Sequence, residues 1–131
     1  MESIKMNVFI PAETDPVFNF WTDSELHTSI IGSVSIIDGI TGGKFTCWDG
    51  YISGSFVEID YPNKIVQNWR TTEFPEDAPD SILELNFEKY KGGTKLTLVQ
   101  TRIPDGQAED YRQGWMDHYF DLMKSYFDKM K

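Results

Sequence analysis

The chain has 131 residues, of which 40% are hydrophobic, together with one cysteine and a net charge of −9. The length and the hydrophobic content predict one globular domain over residues 1–131 with a single core. The acidic charge disfavours nucleic acid and anionic membrane surfaces as partners, and a lone cysteine excludes an intrachain disulfide. Neither a signal peptide nor a run of about 18 apolar residues is present, so we expect a cytoplasmic protein without a membrane span.

The first predicted elements are a strand and two short helices. Residues 3–10, SIKMNVFI, alternate apolar and polar side chains as a half-buried strand does. Asp15 and the proline after it predict an N-cap and the first turn of a helix. Asp23 or Ser24 predicts the cap of a second helix, which Gly32 ends.

Six further strands are predicted, joined by turns rich in glycine, proline, asparagine and aspartate. The clearest alternation is SILELNFEKY, in which Leu83, Leu85 and Phe87 share one face. One face of the sheet is therefore expected to be buried and the other largely exposed to water. The six strands are placed at residues 33–38, 43–49, 51–60, 64–72, 81–89 and 94–103.

A helical period begins after Gly106 and continues to the end of the chain. It predicts a helix of about 22–24 residues, about 30 Å long. Its apolar stripe is expected to consist of Tyr111, Trp115, Tyr119, Leu122, Tyr126 and Met130, with Met123 and Phe127 beside it. The predicted fold is thus α+β, in the order β-α-α-β6-α, with a seven-stranded curved antiparallel sheet wrapped around the long C-terminal helix.

The arrangement of a curved sheet around a long helix predicts a cavity between them for a small hydrophobic ligand. The candidate lining residues are Trp21, Phe45, Gln67, Trp69, Leu85, Phe87, Leu98, Gln100, Trp115, Tyr119 and Met123. Gln67 and Gln100 interrupt apolar strand faces. A buried amide of this kind either bonds within the protein or orients a polar group of the ligand.

Phosphate and metal sites are disfavoured by spacing. Residues 39–44, GITGGK, leave one residue too few between the first glycine and the Gly-Lys pair, and Phe45 stands where a phosphate loop has Ser or Thr. His27, His118 and Cys47 are scattered, and neither histidine has a second ligand at helical or hairpin spacing. We therefore expect no metal and no cofactor.

The glycines around this segment are interpreted as bends of the sheet. Asp49 and Gly50 predict a tight hairpin turn, and Gly54 predicts a bulge or bend inside a strand. Lys44 is then a surface residue. Its replacement by alanine is expected to change little, whereas Gly54→Val is expected to damage folding.

Catalytic residues are not evident in the sequence. Cys47 lies in a predicted strand and is expected to be a small buried hydrophobe. Asp117 and His118 are adjacent on a helix and project in different directions. Glu58 is the carboxylate predicted to share an apolar strand face, with Phe56. We expect a protein that is not an enzyme, with a cyclase- or hydrolase-like activity as the weaker alternative.

A family resemblance covers Val8 to Phe127. It is carried by GGKFTCWDGYISGSFVEIDYPNKIVQNWR, FPEDAPDSILELNFEKYKGGTKLTLVQTRIP and GWMDHYFDLMKSYF. These segments resemble the C-terminal-domain type of the activator of the heat-shock protein 90 ATPase, within the START-like (SRPBCC) group. The resemblance implies the helix-grip fold. It also implies a co-chaperone-like or protein-binding module whose partner is a heat-shock protein 90 chaperone or another protein. Binding or transport of a small hydrophobic ligand is the alternative.

Overall fold

The computed structural model describes residues 1–130 and has the predicted element order. One antiparallel sheet has the strand order β1-β7-β6-β5-β4-β3-β2. The N-terminal elements are β1 (Glu2–Ile10), α1 (Thr14–Thr22) and α2 (Ser24–Ile31), and the middle strands are β2 (Ile36–Ile37), β3 (Lys44–Cys47), β4 (Ile52–Asp60), β5 (Lys64–Thr71), β6 (Ser81–Tyr90) and β7 (Gly93–Ile103). The C-terminal helix consists of α3 (Ala108–Trp115), a π-helical segment (Met116–Phe120) and α4 (Asp121–Lys129). The predicted α+β, helix-grip fold is confirmed.

The two short helices have different starts. Asp23 caps α2 as predicted, since its carboxylate accepts a hydrogen bond from the backbone N–H of Leu26 at 2.8 Å. Gly32 ends α2 in the left-handed conformation, with φ of 76°. The predicted cap of α1 at Asp15 is wrong, because the helix begins at Thr14. Pro16 lies in the first turn as predicted, as the third residue of the helix, and is tolerated because the first four N–H groups of a helix have no partner within it.

The strand predicted at residues 33–38 is reduced to Ile36 and Ile37. Two hydroxyl groups on α2 bind the backbone N–H groups on the outer edge of this segment, which point away from β3. Ser24 Oγ accepts from the N–H of Ile37 at 2.7 Å, and Thr28 Oγ1 accepts from the N–H of Ser35 at 3.0 Å. The segment is therefore tied to the helix, and only its end pairs with β3.

The predicted bulge at Gly54 is displaced along β4. Gly54 pairs in regular register with Phe45 on one side and Trp69 on the other. The register shifts instead between Phe56 and Glu58. This extra residue reverses the alternation, so the prediction that Glu58 shares the buried face of Phe56 is wrong. The Glu58 carboxylate is exposed and lies 3.8 Å from the ammonium group of Lys64.

The C-terminal helix buries a different stripe from the predicted one. In the π-helical segment the N–H of Asp121 bonds to the carbonyl of Met116, five residues back. At 3.6 residues per turn, a four-residue repeat drifts by about 40° at each step, and the wider turn of a π-helix offsets this drift. The buried positions consequently continue to Met123 and Phe127, while Leu122 and Tyr126 are only half-buried and Met130 is 69% exposed.

The space between the sheet and the C-terminal helix is filled by one hydrophobic cluster. Side chains from α1, α2, the C-terminal helix and the buried face of the sheet contribute to it. Ile10, Val17, Phe20, Leu83, Leu96, Ile103 and Met123 have no exposed surface. No helix within residues 1–130 is long and apolar enough to cross a membrane.

Candidate functional site

An open cleft of about 580 Å³ lies at one end of the C-terminal helix. The sheet side is formed by Trp48, Tyr51, Ile52 and Trp69, and the helix side includes Asp110, Tyr111, Gly114, Trp115, Asp117 and Tyr119. We call this site the aromatic cleft. Its volume falls in the range of about 300–1,000 Å³ that is usual for small-molecule sites.

The aromatic rings of the cleft form a continuous wall. The Trp115 ring centroid lies 5.4 Å from that of Trp69 and 4.8 Å from that of Tyr119. Tyr111 contacts Trp69 edge to face at 5.2 Å, and Trp48 contacts Tyr119 at 6.3 Å. These separations are typical of favourable aromatic pairs, so the wall is held in place by its own contacts.

A buried hydrogen-bond chain fixes the centre of this wall. The indole N–H of Trp115 donates to Gln100 Oε1 at 2.9 Å, and Gln100 Nε2 donates to Ser81 Oγ at 3.0 Å. Ser81 Oγ in turn donates to the carbonyl of Trp69 at 2.6 Å. The amide of Gln100 is therefore bonded within the protein, and its effect on the cleft is exerted through the orientation of Trp115.

Two backbone features concentrate at the lip of the cleft. Trp48 and Asp49 both have positive φ, 55° and 54°, in the turn between β3 and β4. For a side chain as large as tryptophan this left-handed conformation is uncommon and carries strain. The π-helical segment, which supplies Asp117 and Tyr119, faces this turn, and Trp48 contacts His118 at 5.6 Å between ring centroids. Both kinds of irregularity are frequent at functional sites.

Gly114 gives the cleft its open floor. It lies inside α3, and a Cβ atom added there would have nothing within 4 Å. A helix-interior glycine with free space around it costs stability and has no packing reason.

We expect Gly114→Ala to raise the free energy of unfolding by about 0.5–1 kcal/mol, because alanine loses less conformational entropy in a helix. Urea denaturation followed by circular dichroism measures the change. A less stable variant would contradict the view that the position is open.

The predicted lining residues divide between the cleft and the core. Trp69, Trp115 and Tyr119 line the aromatic cleft. The other eight are buried in the hydrophobic interior: Trp21, Phe45, Gln67, Leu85, Phe87, Leu98, Gln100 and Met123. Of these, Trp21, Phe45 and Gln67 border an internal void of only about 10 Å³, about the size of one water molecule. Ligand binding by the eleven residues stays a prediction.

A histidine that sequence reasoning left unassigned lies beneath the cleft. His27 is 2% exposed, and its Nδ1–H donates to the carbonyl of Phe20 at 3.0 Å. Its Nε2 accepts from the phenol O–H of Tyr119 at 3.0 Å, which requires the neutral ring. Burial lowers the pKa of His27 to about 4 and raises the pKa of Tyr119 well above its ordinary value. The pair holds Tyr119 in the cleft wall.

Cys47 and Tyr51 are protonated at neutral pH. Burial raises the pKa of the Cys47 thiol to about 11, so the thiol is protonated and unreactive. Burial and a hydrogen bond to Glu73 raise the pKa of Tyr51 to about 12. Among residues 1–130 no three His, Cys, Asp or Glu side chains come together as metal ligands. The site is suited to binding by aromatic contact.

Several residues of the cleft were not singled out from the sequence, notably Trp48, Tyr51, Asp110 and Gly114. The available signal was the glycine inside an otherwise strong helical pattern, which is unfavourable unless packing or function requires it. The left-handed turn at Trp48 carries no comparable sequence signal.

Comparison with known proteins places the chain beside one family. A family model described as activator of Hsp90 ATPase homolog 1-like protein matches residues 11–128. The chain is 31% identical over 110 residues to activator of 90 kDa heat shock protein ATPase homolog 2 of Mus musculus. It is 30% identical over 113 residues to homolog 1 of Homo sapiens. These alignments cover 84% and 86% of this chain and 33% of each relative, so the chain spans about a third of the length of the curated relatives it matches.

A solved structure has the same fold over nearly the whole chain. It is the crystal structure of an HSP90 activator from Plasmodium falciparum, with 28% sequence identity and a TM-score of 0.89. The superposition covers 96% of this chain and 96% of that one.

Proposed function

Because this chain belongs to the family of activator of Hsp90 ATPase homolog 1-like proteins, we propose that it binds a heat-shock protein 90 chaperone and acts as a non-enzymatic, co-chaperone-like protein. The observation that carries the proposal is the likeness to the Plasmodium falciparum HSP90 activator, which extends over 96% of both chains. A cytoplasmic location, shared with the chaperone, is part of the proposal.

An apolar edge of the sheet supports a protein-binding role. Val34, Ile36 and Ile40 are 54%, 67% and 61% exposed, although isoleucine and valine are usually buried. Ile36 lies in β2, an edge strand of the sheet, and Val34 and Ile40 lie on either side of it in the chain. The backbone N–H of Asp49 donates to the carbonyl of Val34 at 2.9 Å, so this edge adjoins the lip of the cleft. Exposed apolar side chains grouped at an edge are typical of interaction surfaces.

The charge of the protein favours a partner with a basic surface. A net charge of −9 at this size gives an acidic field that speeds association with a positive patch and repels acidic competitors. The association rate is then expected to fall as salt is added.

The test measures the ATPase rate of a purified heat-shock protein 90 from the same organism with and without this chain, and titrates binding by calorimetry. We expect saturable binding and a changed ATPase rate. Ile36→Ser is expected to weaken binding about fivefold or more, because it removes an exposed apolar side chain from the proposed surface. Phe9→Ser is the control, since Phe9 is 41% exposed on β1, at the opposite edge of the sheet. Absence of binding at several hundred micromolar would contradict the proposal.

The aromatic cleft supports a second candidate function, binding of a small apolar ligand. Its volume of about 580 Å³ and its ring-lined wall are the observations that favour it. Native mass spectrometry of the purified chain, followed by the same measurement on Gly114→Leu, tests the idea. A co-purifying molecule that is lost from the variant would support ligand binding, and a ligand that is retained by the variant would place its site elsewhere.

A further inference from the structure

We propose that the aromatic cleft selects small organic cations, in which an ammonium group is carried on a flat apolar body. This inference rests on the second candidate function, ligand binding in the cleft, and is independent of chaperone binding. It goes beyond a hydrophobic ligand because it assigns the charge of the ligand.

The first observation is the sign of the charges around the cleft. Asp110 and Asp117 both line it, and they lie on the same face of the helix with Gly114 between them. Glu73 adds a third carboxylate at the rim, where it accepts a hydrogen bond from the hydroxyl of Tyr51 at 2.5 Å. None of the lining residues within 1–130 is lysine or arginine. A carboxylate ligand would be repelled by this arrangement and a cation attracted.

The basic side chains on this part of the helix are Arg112 and His118, and His118 lines the cleft with its ring against Trp48. Arg112 Nε lies 3.6 Å from the carboxylate of Glu109, and neither residue lines the cleft. The carboxylate of Asp117 accepts a hydrogen bond from Gln113 Nε2 at 2.9 Å. A single amide bond leaves other lone pairs of this carboxylate for a ligand.

The second observation is the aromatic wall between the carboxylates. Trp69, Trp115 and Tyr119 form its buried base, each with 3% of its surface exposed, and the accessible rings are those of the half-buried Trp48 and of Tyr51, which is 37% exposed. Aromatic faces attract cations through their negative quadrupole, and tryptophan does so most strongly. A flat apolar body can pack on the rings of Trp48 and Tyr51 while its ammonium group reaches Asp110 or Asp117.

The third observation is that two features that lower the stability of the fold keep the site open. Gly114 leaves the space between the two aspartates free, and the strained backbone at Trp48 places an indole over the opposite lip. A cleft formed only by imperfect packing has no need of either feature.

Three indole compounds of different charge test the inference: tryptamine is a cation, tryptophol is neutral and indole-3-acetate is an anion. Binding to the intact chain is followed at pH 7.5 by calorimetry and by chemical-shift changes of residues 110–119 in ¹⁵N spectra. We expect tryptamine to bind about fivefold or more tighter than tryptophol, and indole-3-acetate to bind most weakly. Equal dissociation constants for the three would overturn charge selection and leave ligand binding standing. No binding of any of the three would overturn both.

Three variants localise the effect. Asp117→Asn keeps an acceptor for Gln113 and is expected to weaken tryptamine binding to the level of tryptophol, without changing the affinity for tryptophol. Asp121→Asn removes the same charge from an exposed position on the same helix and is the matched control. Gly114→Leu is expected to abolish binding of all three compounds while the protein stays folded, because the added side chain occupies free space. Equal effects of the two aspartate variants would show a general charge effect and overturn the site.

Discussion

Replacing Gly54 with alanine is expected to lower the free energy of unfolding by about 4 kcal/mol or more, a large share of the total of about 5–15 kcal/mol that is typical of a native domain. A Cβ atom at this position overlaps the backbone carbonyl oxygen of Asn68 on β5 and lies 2.7 Å from Cζ of Phe45. The ring of Phe45 is buried in the packed core and has little room to shift, and the carbonyl of Asn68 is part of the sheet backbone. Any side chain at residue 54 therefore separates β4 from β5.

Circular dichroism and urea denaturation measure this loss, and the chain supplies two matched controls. Gly114→Ala is the same chemical change at a position with free space, and it is expected to stabilise. Lys44→Ala alters an exposed residue on β3 and is expected to change stability by less than about 0.5 kcal/mol. A Gly54→Ala variant whose free energy of unfolding lies within about 1 kcal/mol of the parent value would contradict the close approach of the two strands, because about 1 kcal/mol is the effect of an average mutation.

Acidification is expected to destabilise the protein through His27. Its pKa is about 4 in the folded chain and close to 6.5 when unfolded, so the unfolded chain binds the proton first. The contribution of the neutral histidine is complete above about pH 6.5 and is lost as the pH falls towards 4. Between pH 7.5 and pH 5 the loss is about 2 kcal/mol. The physical cause is the burial of a ring that has no carboxylate partner for its charged form.

Urea denaturation at these two pH values tests the effect while avoiding the isoelectric point near 4.5. His27→Gln is expected to be less stable at pH 7.5, because it loses the stacking of the imidazole on Phe20 at 4.3 Å. The decrease in its free energy of unfolding between pH 7.5 and pH 5 is also expected to be about 2 kcal/mol smaller than that of the parent. His118→Gln removes the other histidine, which is exposed, and should keep the dependence of the parent. Parallel pH profiles for the parent and His27→Gln would assign the acid sensitivity to other groups.

The two functional proposals involve different surfaces of the molecule. Chaperone binding is assigned to the apolar edge at Val34, Ile36 and Ile40, and cation binding is assigned to the aromatic cleft. The two surfaces adjoin at the turn of Trp48 and Asp49. Ile36→Ser and Asp117→Asn are therefore expected to affect different partners, and each variant is a control for the other.

The sequence alone determined the order of the elements and the buried faces of the longest strands. Alternation in β1, β6 and β7, the Asp23 cap and the Gly32 stop are local signals, since each depends on residues close together in the chain. The stop at residue 32 and the long helix after Gly106 were correct for this reason.

The tertiary structure decided which features form the candidate site. Hydroxyl groups on α2 tied the segment at 33–38 to that helix, the bulge after Phe56 turned Glu58 outward, and the π-helical segment selected Met123 over Leu122 for burial. Large side chains filled the space under the helix, and the open volume lies instead beside Gly114 at one end. Each of these outcomes depends on contacts between residues far apart in the chain, whose energies compete with local preference, and periodicity within one segment carries no information about them.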